Sequence, residues 1–348
     1  MTLPDTMRAM VLTGHGGPEM LEWRTDIPVP RPGPRDVIVR VAAAGVNNTD
    51  INTRIGWYSK NNASAEDAAW GGTPLSFPRI QGADVCGHIV AVGDDVPASR
   101  IGERVLIEPC LREVDGHEPA RPWYLGSECD GGFADYVRIA ARHAFGIESS
   151  LSDVELASFP CSYSTAENML TRAGAGQGDT VLVTGASGGV GSAAVQLARA
   201  RGAQVIAVTG ASKAAALRDL GAAKTIGRND DPVRELGTDS IDVVIDLVAG
   251  PGWPALLDVL RPGGRYAVSG AIAGPMVELD VRTLYLKDLS FFGCTVLDPE
   301  VFANLVGRIE RGDIRPLVAA TFPLREIASA QQAFGEKSHV GKIVLQVE

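Results

Sequence analysis

A chain of 348 residues is longer than one ordinary domain and suits two. Its composition, 45% hydrophobic and 21% charged, is that of a globular protein, and a formal charge of −10 argues against nucleic acid and anionic membranes as partners, since both repel it. The five scattered cysteines form no C-x-x-C pair, no apolar run is long enough to span a bilayer, and the opening residues lack a secretory start and cleavage site. Reduced thiols in the cytoplasm are the expectation.

The first 150 residues alternate short β-like runs (7–12, 36–43, 88–92, 104–108) with Gly and Pro clusters such as 28–34, a pattern that predicts a mostly antiparallel β domain. Residues 59–78 are polar and strand-poor and read as a long surface loop of the kind that serves as a lid or binding loop; it carries Trp70. From 152 onward, apolar strand-like runs alternate with helical patterns at 181–183, 204–208, 241–247 and 265–269, which predicts a parallel, doubly wound sheet. Residues 299–311 and 324–336 have helical patterns, and 341–347 is strongly β.

The most informative stretch is 180–201, TVLVTGASGGVGSAAVQLARAR. A strand enters a glycine-rich turn, Ala186-Ser187-Gly188-Gly189-Val190-Gly191, which opens an amphipathic helix. That is the first unit of a dinucleotide-binding fold, with alanine in place of the first glycine of the fingerprint. Glycine lets the backbone approach a pyrophosphate, and the helix N-terminus offers it unpaired N–H groups. NAD-preferring folds place a carboxylate after the second strand; here Thr209-Gly210-Ala211-Ser212-Lys213 has none, and Lys213 suits a 2′-phosphate, so NADP(H) is favoured. The other reading of Lys213 is a solvated residue opening the next helix.

Several pieces together, AGVNNTD (44–50), QGADVCGHIVAVG (81–93), GERV (102–105), GGFADYV (131–137), the glycine-rich turn and LRPGG (260–264), resemble the medium-chain dehydrogenase/reductase superfamily. The resemblance is to its zinc-free quinone oxidoreductase and enoyl-reductase branch and runs from Met7 to Val347. It implies an α/β protein: a GroES-like β-rich catalytic domain, residues 1–151 and 297–348, interrupted by a Rossmann domain with a doubly wound parallel sheet, residues 152–296. It also implies a homodimer joined through the Rossmann sheet edge. The run 289–296 suits pairing across a two-fold axis, or equally a buried internal strand.

In zinc-dependent members, ligands sit at three places that read here as Asn47, the Gly82-Ala83-Asp84 run and Cys161. One thiolate cannot supply three protein ligands, so no catalytic zinc is expected. The lobe that carries a structural zinc in such enzymes keeps only Cys110, His117 and Cys129, too loose a trio for a metal cage. Without a Lewis acid, hydride removal from an alcohol is difficult, whereas reduction of an electron-poor carbon needs only hydrogen-bond donors and a proton source.

By resemblance, Asn47 donates to a substrate carbonyl, and Arg54 and Tyr58 line the same cleft. Tyr58 is either a proton donor or an aromatic wall, Asp50 a turn residue or a catalytic group, and Cys161 a small buried apolar residue. Thr165 and Ser269-Gly270-Ala271 match places that touch the nicotinamide half. His88 reads as structural; His15, His117, His143 and His339 read as ordinary loop or surface residues. The expectation is a metal-free, NADPH-dependent reductase of quinones, enones or related carbonyls. An alcohol or aldehyde dehydrogenase with an unusual metal site and a non-catalytic NADPH-binding protein stand as alternatives.

Overall fold

The computed structural model describes residues 3–60, 65, 68 and 74–348. Trp70 lies outside the described residues. The chain divides into two compact units, 1–161 with 316–338 and 342–348, and 162–315 with 339–341.

The first unit opens with β1 (Thr6–Leu12), β2 (Leu21–Pro28) and β3 (Asp36–Gly45), followed by α1 (Asn48–Arg54), β4 (Arg79–Ile80) and β5 (Asp84–Val92). Short strands β6 (Arg104–Ile107), β7 (Cys110–Leu111), β8 (Trp123–Tyr124), β9 (Tyr136–Ala140) and β10 (Ala144–Gly146) come next, then α2 (Asp153–Leu156); α3 (Pro160–Arg172) starts in this unit and from residue 162 onward belongs to the second. β3 and β5 pair antiparallel, with Gly45 opposite Asp84 at the end that leads into α1. The apolar runs seen in the sequence bury their alternating side chains in one core, including Met7, Val37, Val39, Ile89, Val105 and Phe133.

The second unit is a six-stranded, fully parallel sheet. In chain order it comprises β11 (Thr180–Val183), α4 (Gly189–Ala200), β12 (Gln204–Thr209), α5 (Ala214–Asp219), β13 (Lys224–Gly227), α6 (Pro232–Leu236), β14 (Ile241–Asp246), α7 (Trp253–Val259), β15 (Leu260–Val268), α8 (Val281–Leu286), β16 (Ser290–Gly293) and α9 (Val301–Glu310). The order β13-β12-β11-β14-β15-β16 reverses between β11 and β14, the topological switch point at which such sheets bind ligands. α9, placed by the sequence reading beyond the Rossmann block, belongs to this unit; Arg308 on it reaches Glu167 on α3. The two ends of the 162–315 segment are tied together: Tyr163 Oη donates to the Arg315 carbonyl at 2.9 Å, and Gln196 bonds both residues.

The chain then returns to the first unit through β17 (Val318–Pro323), α10 (Ile327–Gly335) and β18 (Lys342–Gln346). β18 inserts between β3 and β17 in the order β10-β6-β5-β3-β18-β17, and this completes the GroES-like sheet. Among the described residues, no helix is long and apolar enough to cross a membrane.

Candidate active site

In the β-rich unit, three segments distant in sequence place a buried polar cluster at the start of α1. Asn47 is the residue before the helix, Asp84 begins β5, and Lys342 begins β18; they are 6%, 0% and 2% exposed. Lys342 Nζ donates to Asp84 Oδ2 at 2.7 Å and also to Asn47 Oδ1. Asn47 Nδ2 donates to Asp84 Oδ2 at 2.8 Å, and its other contact, the Gly45 carbonyl, is at 3.5 Å. Asp84 Oδ1 accepts the backbone N–H of Cys161. Gly45 is required here: a Cβ would lie 2.5 Å from Asp84 Oδ2 and 2.8 Å from the Ala157 carbonyl.

The first turn of α1 adds Asp50, whose Oδ2 accepts the Asn47 N–H at 2.7 Å. It is thus a turn-holding residue, yet an unusual one: burial pushes its carboxyl up to about 7, a rise opposed by the Asn47 N–H and the Lys342 charge. Tyr58 Oη donates to Thr49 Oγ1 at 3.2 Å, and burial raises its pKa, so the phenol stays protonated. Arg54 is turned inward. Nη1 donates to the Gly16 carbonyl at 2.7 Å, and Nε and Nη2 share Gln331 Oε1 at 3.3 and 3.1 Å. With three donors on internal acceptors, Arg54 ties α1 to Gly16 and to Gln331 on α10.

The residues at the zinc positions do not fit a metal. Asp84, the one carboxylate there, already faces the Lys342 ammonium, which would repel a dication at the same point. Cys161 is the single thiol and Asn47 a neutral amide. Among the described residues, no group of three His, Cys, Asp or Glu side chains is placed to hold a metal. The lobe after β6 is fastened by protein groups instead. His143, read from sequence as a loop or surface residue, is buried: Nε2 accepts the N–H groups of Arg112 and Glu113 at 3.0 and 3.1 Å, and Nδ1 faces Glu108 at 2.8 Å. A cleft of about 330 Å³ beside this lobe, lined by Met7, Trp123, Cys129 and Ile139, contains none of the candidate site residues.

In the Rossmann unit, the candidate cofactor residues gather at the C-terminal ends of the strands. Ala186 and Ser187 form the turn after β11, Gly188 precedes α4, and Gly189, Val190 and Gly191 make its first turn. A Cβ on Gly191 would stand 2.3 Å from the Gly185 carbonyl, so only glycine lets the helix start this close to the strand. After β12, the Thr209 hydroxyl is buried without a hydrogen-bond partner, a donor waiting for an acceptor. Ser212 is exposed and Lys213 half-buried in the following 3₁₀ turn. Lys213 has its pKa lowered by burial and by the charge of Arg228, whose N–H bonds the Thr209 carbonyl. Two cations beside an orphan hydroxyl fit a 2′-phosphate. Ser269 donates to the Cys294 carbonyl at 2.7 Å and, with Gly270 and Ala271, follows β15; Thr165 lies half-buried on α3. Sequence reasoning missed Lys342, Arg228 and the role of His143, each of which depends on a partner far along the chain.

Two family models match: the alcohol dehydrogenase GroES-like domain over residues 33–149 and the zinc-binding dehydrogenase over 189–311. The quinone oxidoreductase of Lama guanicoe is 31% identical over 353 residues, covering 97% of each chain. The acryloyl-coenzyme A reductase of Metallosphaera sedula is 31% identical over 361 residues, covering 97% of this chain and 99% of its own. A solved structure from Sinorhizobium meliloti 1021, described provisionally as an alcohol dehydrogenase, superposes with TM-score 0.92 at 46% identity, with 99% of this chain and 98% of that one covered. The fold and the site define a nicotinamide-dependent oxidoreductase built from GroES-like and Rossmann units. The chain belongs to the medium-chain dehydrogenase/reductase superfamily, in its quinone oxidoreductase and enoyl-reductase branch.

Proposed function

We propose that this protein is a zinc-independent, NADPH-dependent reductase of quinones, enones or related α,β-unsaturated carbonyls. The carrying observation is that a buried amide, Asn47, stands where a metal-dependent relative would place a ligand, with the protonated phenol of Tyr58 bonded to Thr49 on the helix that Asn47 opens. When bound, the cofactor would supply the reducing hydride for an electron-poor carbon, and the negative charge that this leaves on the conjugated oxygen would need a hydrogen-bond donor. The second N–H of Asn47, held only at 3.5 Å by Gly45, is the donor that meets this oxygen. Tyr58 delivers the proton that completes the reduction, and Thr49 holds its hydroxyl in the resting state. Arg54 acts as the brace of α1.

On the cofactor side, Ala186 to Gly191 receive the pyrophosphate, Thr209, Ser212, Lys213 and Arg228 the 2′-phosphate, and Thr165 and Ser269 to Ala271 the nicotinamide half. Among the described residues, no disulfide joins any of the five cysteines, which supports a reducing, cytoplasmic setting. A homodimer through β16, the edge strand, is supported by the exposed Tyr285, Leu286 and Phe291 near it; sedimentation of the protein with Phe291→Lys, expected to give monomer, tests this.

The function is tested by following NADPH oxidation with quinone, enone and aldehyde acceptors, with and without a strong chelator. Turnover of quinone or enone that survives chelation is the expected result. Lys213→Ala should raise KM for NADPH about tenfold, roughly 1.4 kcal/mol of lost binding, and leave that for NADH unchanged. Activity confined to aldehydes and abolished by chelator would sink the reading, as would tight NADPH binding with no turnover of any acceptor.

A further inference from the structure

We propose that Lys342 is a positioning residue for the reaction: clamped to Asp84, its ammonium fixes Asn47 with the amide nitrogen turned to the substrate side. The inference rests on the reading of Asn47 as the donor to the substrate oxygen. Its physical basis is that the two ends of an amide are chemically sorted by their neighbours. An ammonium has only donors, so the end of Asn47 that faces Lys342 Nζ is the carbonyl oxygen. A carboxylate has only acceptors, so the end that faces Asp84 Oδ2 at 2.8 Å is the amide nitrogen. A flipped amide would set N–H against the ammonium and C=O against the carboxylate, losing both bonds.

Asp84 cannot swing away to accommodate such a flip, because its other oxygen accepts the Cys161 N–H. The cluster is sealed by Gly45, which leaves no room for a side chain beside Asp84. Lys342 itself is 2% exposed and spends its charge inside this cluster. In place of a metal that polarises substrate directly, the chain holds a fixed cation that orients a neutral donor.

The competing explanation is that the Lys342–Asp84 pair only holds the fold together. The double variant Lys342→Met/Asp84→Leu separates the two, since replacing both partners of a buried pair by apolar residues is commonly neutral or stabilising. The expected result is a melting temperature near that of the parent and a KM for NADPH within about twofold. kcat for an enone should fall roughly tenfold to a hundredfold, the scale of one misdirected oxyanion donor. The side-chain amide protons of Asn47, followed by ¹⁵N-resolved exchange, should exchange at least about tenfold faster as the hydrogen bonds that protect them are lost.

Unchanged Asn47 exchange, or unchanged kcat with faster exchange, would overturn the proposal. The exchange readout needs no turnover, so an inactive parent protein condemns the functional reading alone. Should the double variant fail to fold, Lys342→Ala supplies the second test. Propylammonium should restore its kcat and propanol of matching size should not; equal rescue by both would overturn the proposal.

Discussion

Among the described residues, two carboxylates are 0% exposed, one in each unit, and they are held in opposite ways. Asp246, at the end of β14, is surrounded by neutral donors: the hydroxyls of Thr184 and Tyr266 and the backbone N–H groups of Val248 and Ala249. All of these lie on strand ends or in the turn that follows, so Asp246 fastens one local corner of the parallel sheet. Asp84 instead faces an ammonium brought by a strand 258 residues away, together with an amide and a backbone N–H. The neutral shell makes a joint; the charged shell makes a site whose parts depend on one another. Burial alone does not distinguish the two, whereas the chemistry of the partners does.

The comparison is easiest to break by removing one charge. Asp84→Leu leaves the Lys342 ammonium buried with no counter-charge and should cost about 3–5 kcal/mol in urea unfolding, so much that only the double variant is well behaved. An Asp84→Leu protein as stable as its parent would mean that Lys342 escapes to solvent and that the cluster is not a unit. Asp246→Asn should cost less, about 1–2 kcal/mol, because Tyr266 or Thr184 can reorient a hydroxyl to accept from the new amide. A loss as large as that at Asp84 would erase the distinction.

A third carboxyl, Asp50, sharpens the contrast through pH. Burial raises its pKa from the ordinary 3.8 to about 7, so the folded protein keeps a proton that the unfolded chain gives up. The stability this group contributes is therefore present in full below about pH 4 and lost as pH rises through 7. Asp50→Asn keeps an acceptor for the Asn47 N–H and removes the titration. It should stabilise the protein on the order of 1 kcal/mol at pH 8 and leave it unchanged at pH 4, in thermal melts at the two values. Equal effects at both would show that Asp50 ionises normally.

The Rossmann unit was legible in the sequence because its logic is local. A short apolar run, a turn that needs glycine at Gly191 and a helix behind it fall within some twenty residues, and the absence of a carboxylate after β12 is read directly from Thr209 to Lys213. Arg228 was missed because it joins Lys213 only through the pairing of β12 with β13. In the β unit, Asn47, Asp84 and Cys161 were found through motifs, yet what holds them was not. Lys342 stands at the head of a strand that reads Lys-Ile-Val-Leu-Gln, where a lysine looks like a solvated strand end. The available signal was that both faces of this strand are apolar, which marks it as internal and any charge on it as one that needs a partner. Arg54 is a similar case: its motif singled it out, and its bonds to Gln331 and Gly16 depend on residues far along the chain.

The insertion of β18 between β3 and β17 also has a consequence for how the chain is made. Until that strand emerges from the ribosome, β3 presents an unfilled edge and Asp84 has no counter-charge, the condition in which nascent sheets recruit wrong partners. The tie between Tyr163, Gln196 and Arg315 shortens the wait in space if not in time. Once the intervening unit has folded, its two ends are held together, and the loop that Lys342 must close to reach Asp84 no longer includes that unit's contour. By chain length alone this relieves about 1 kcal/mol of closure entropy. The cofactor-binding unit thereby serves as a folding clasp for the catalytic one before either has met a substrate.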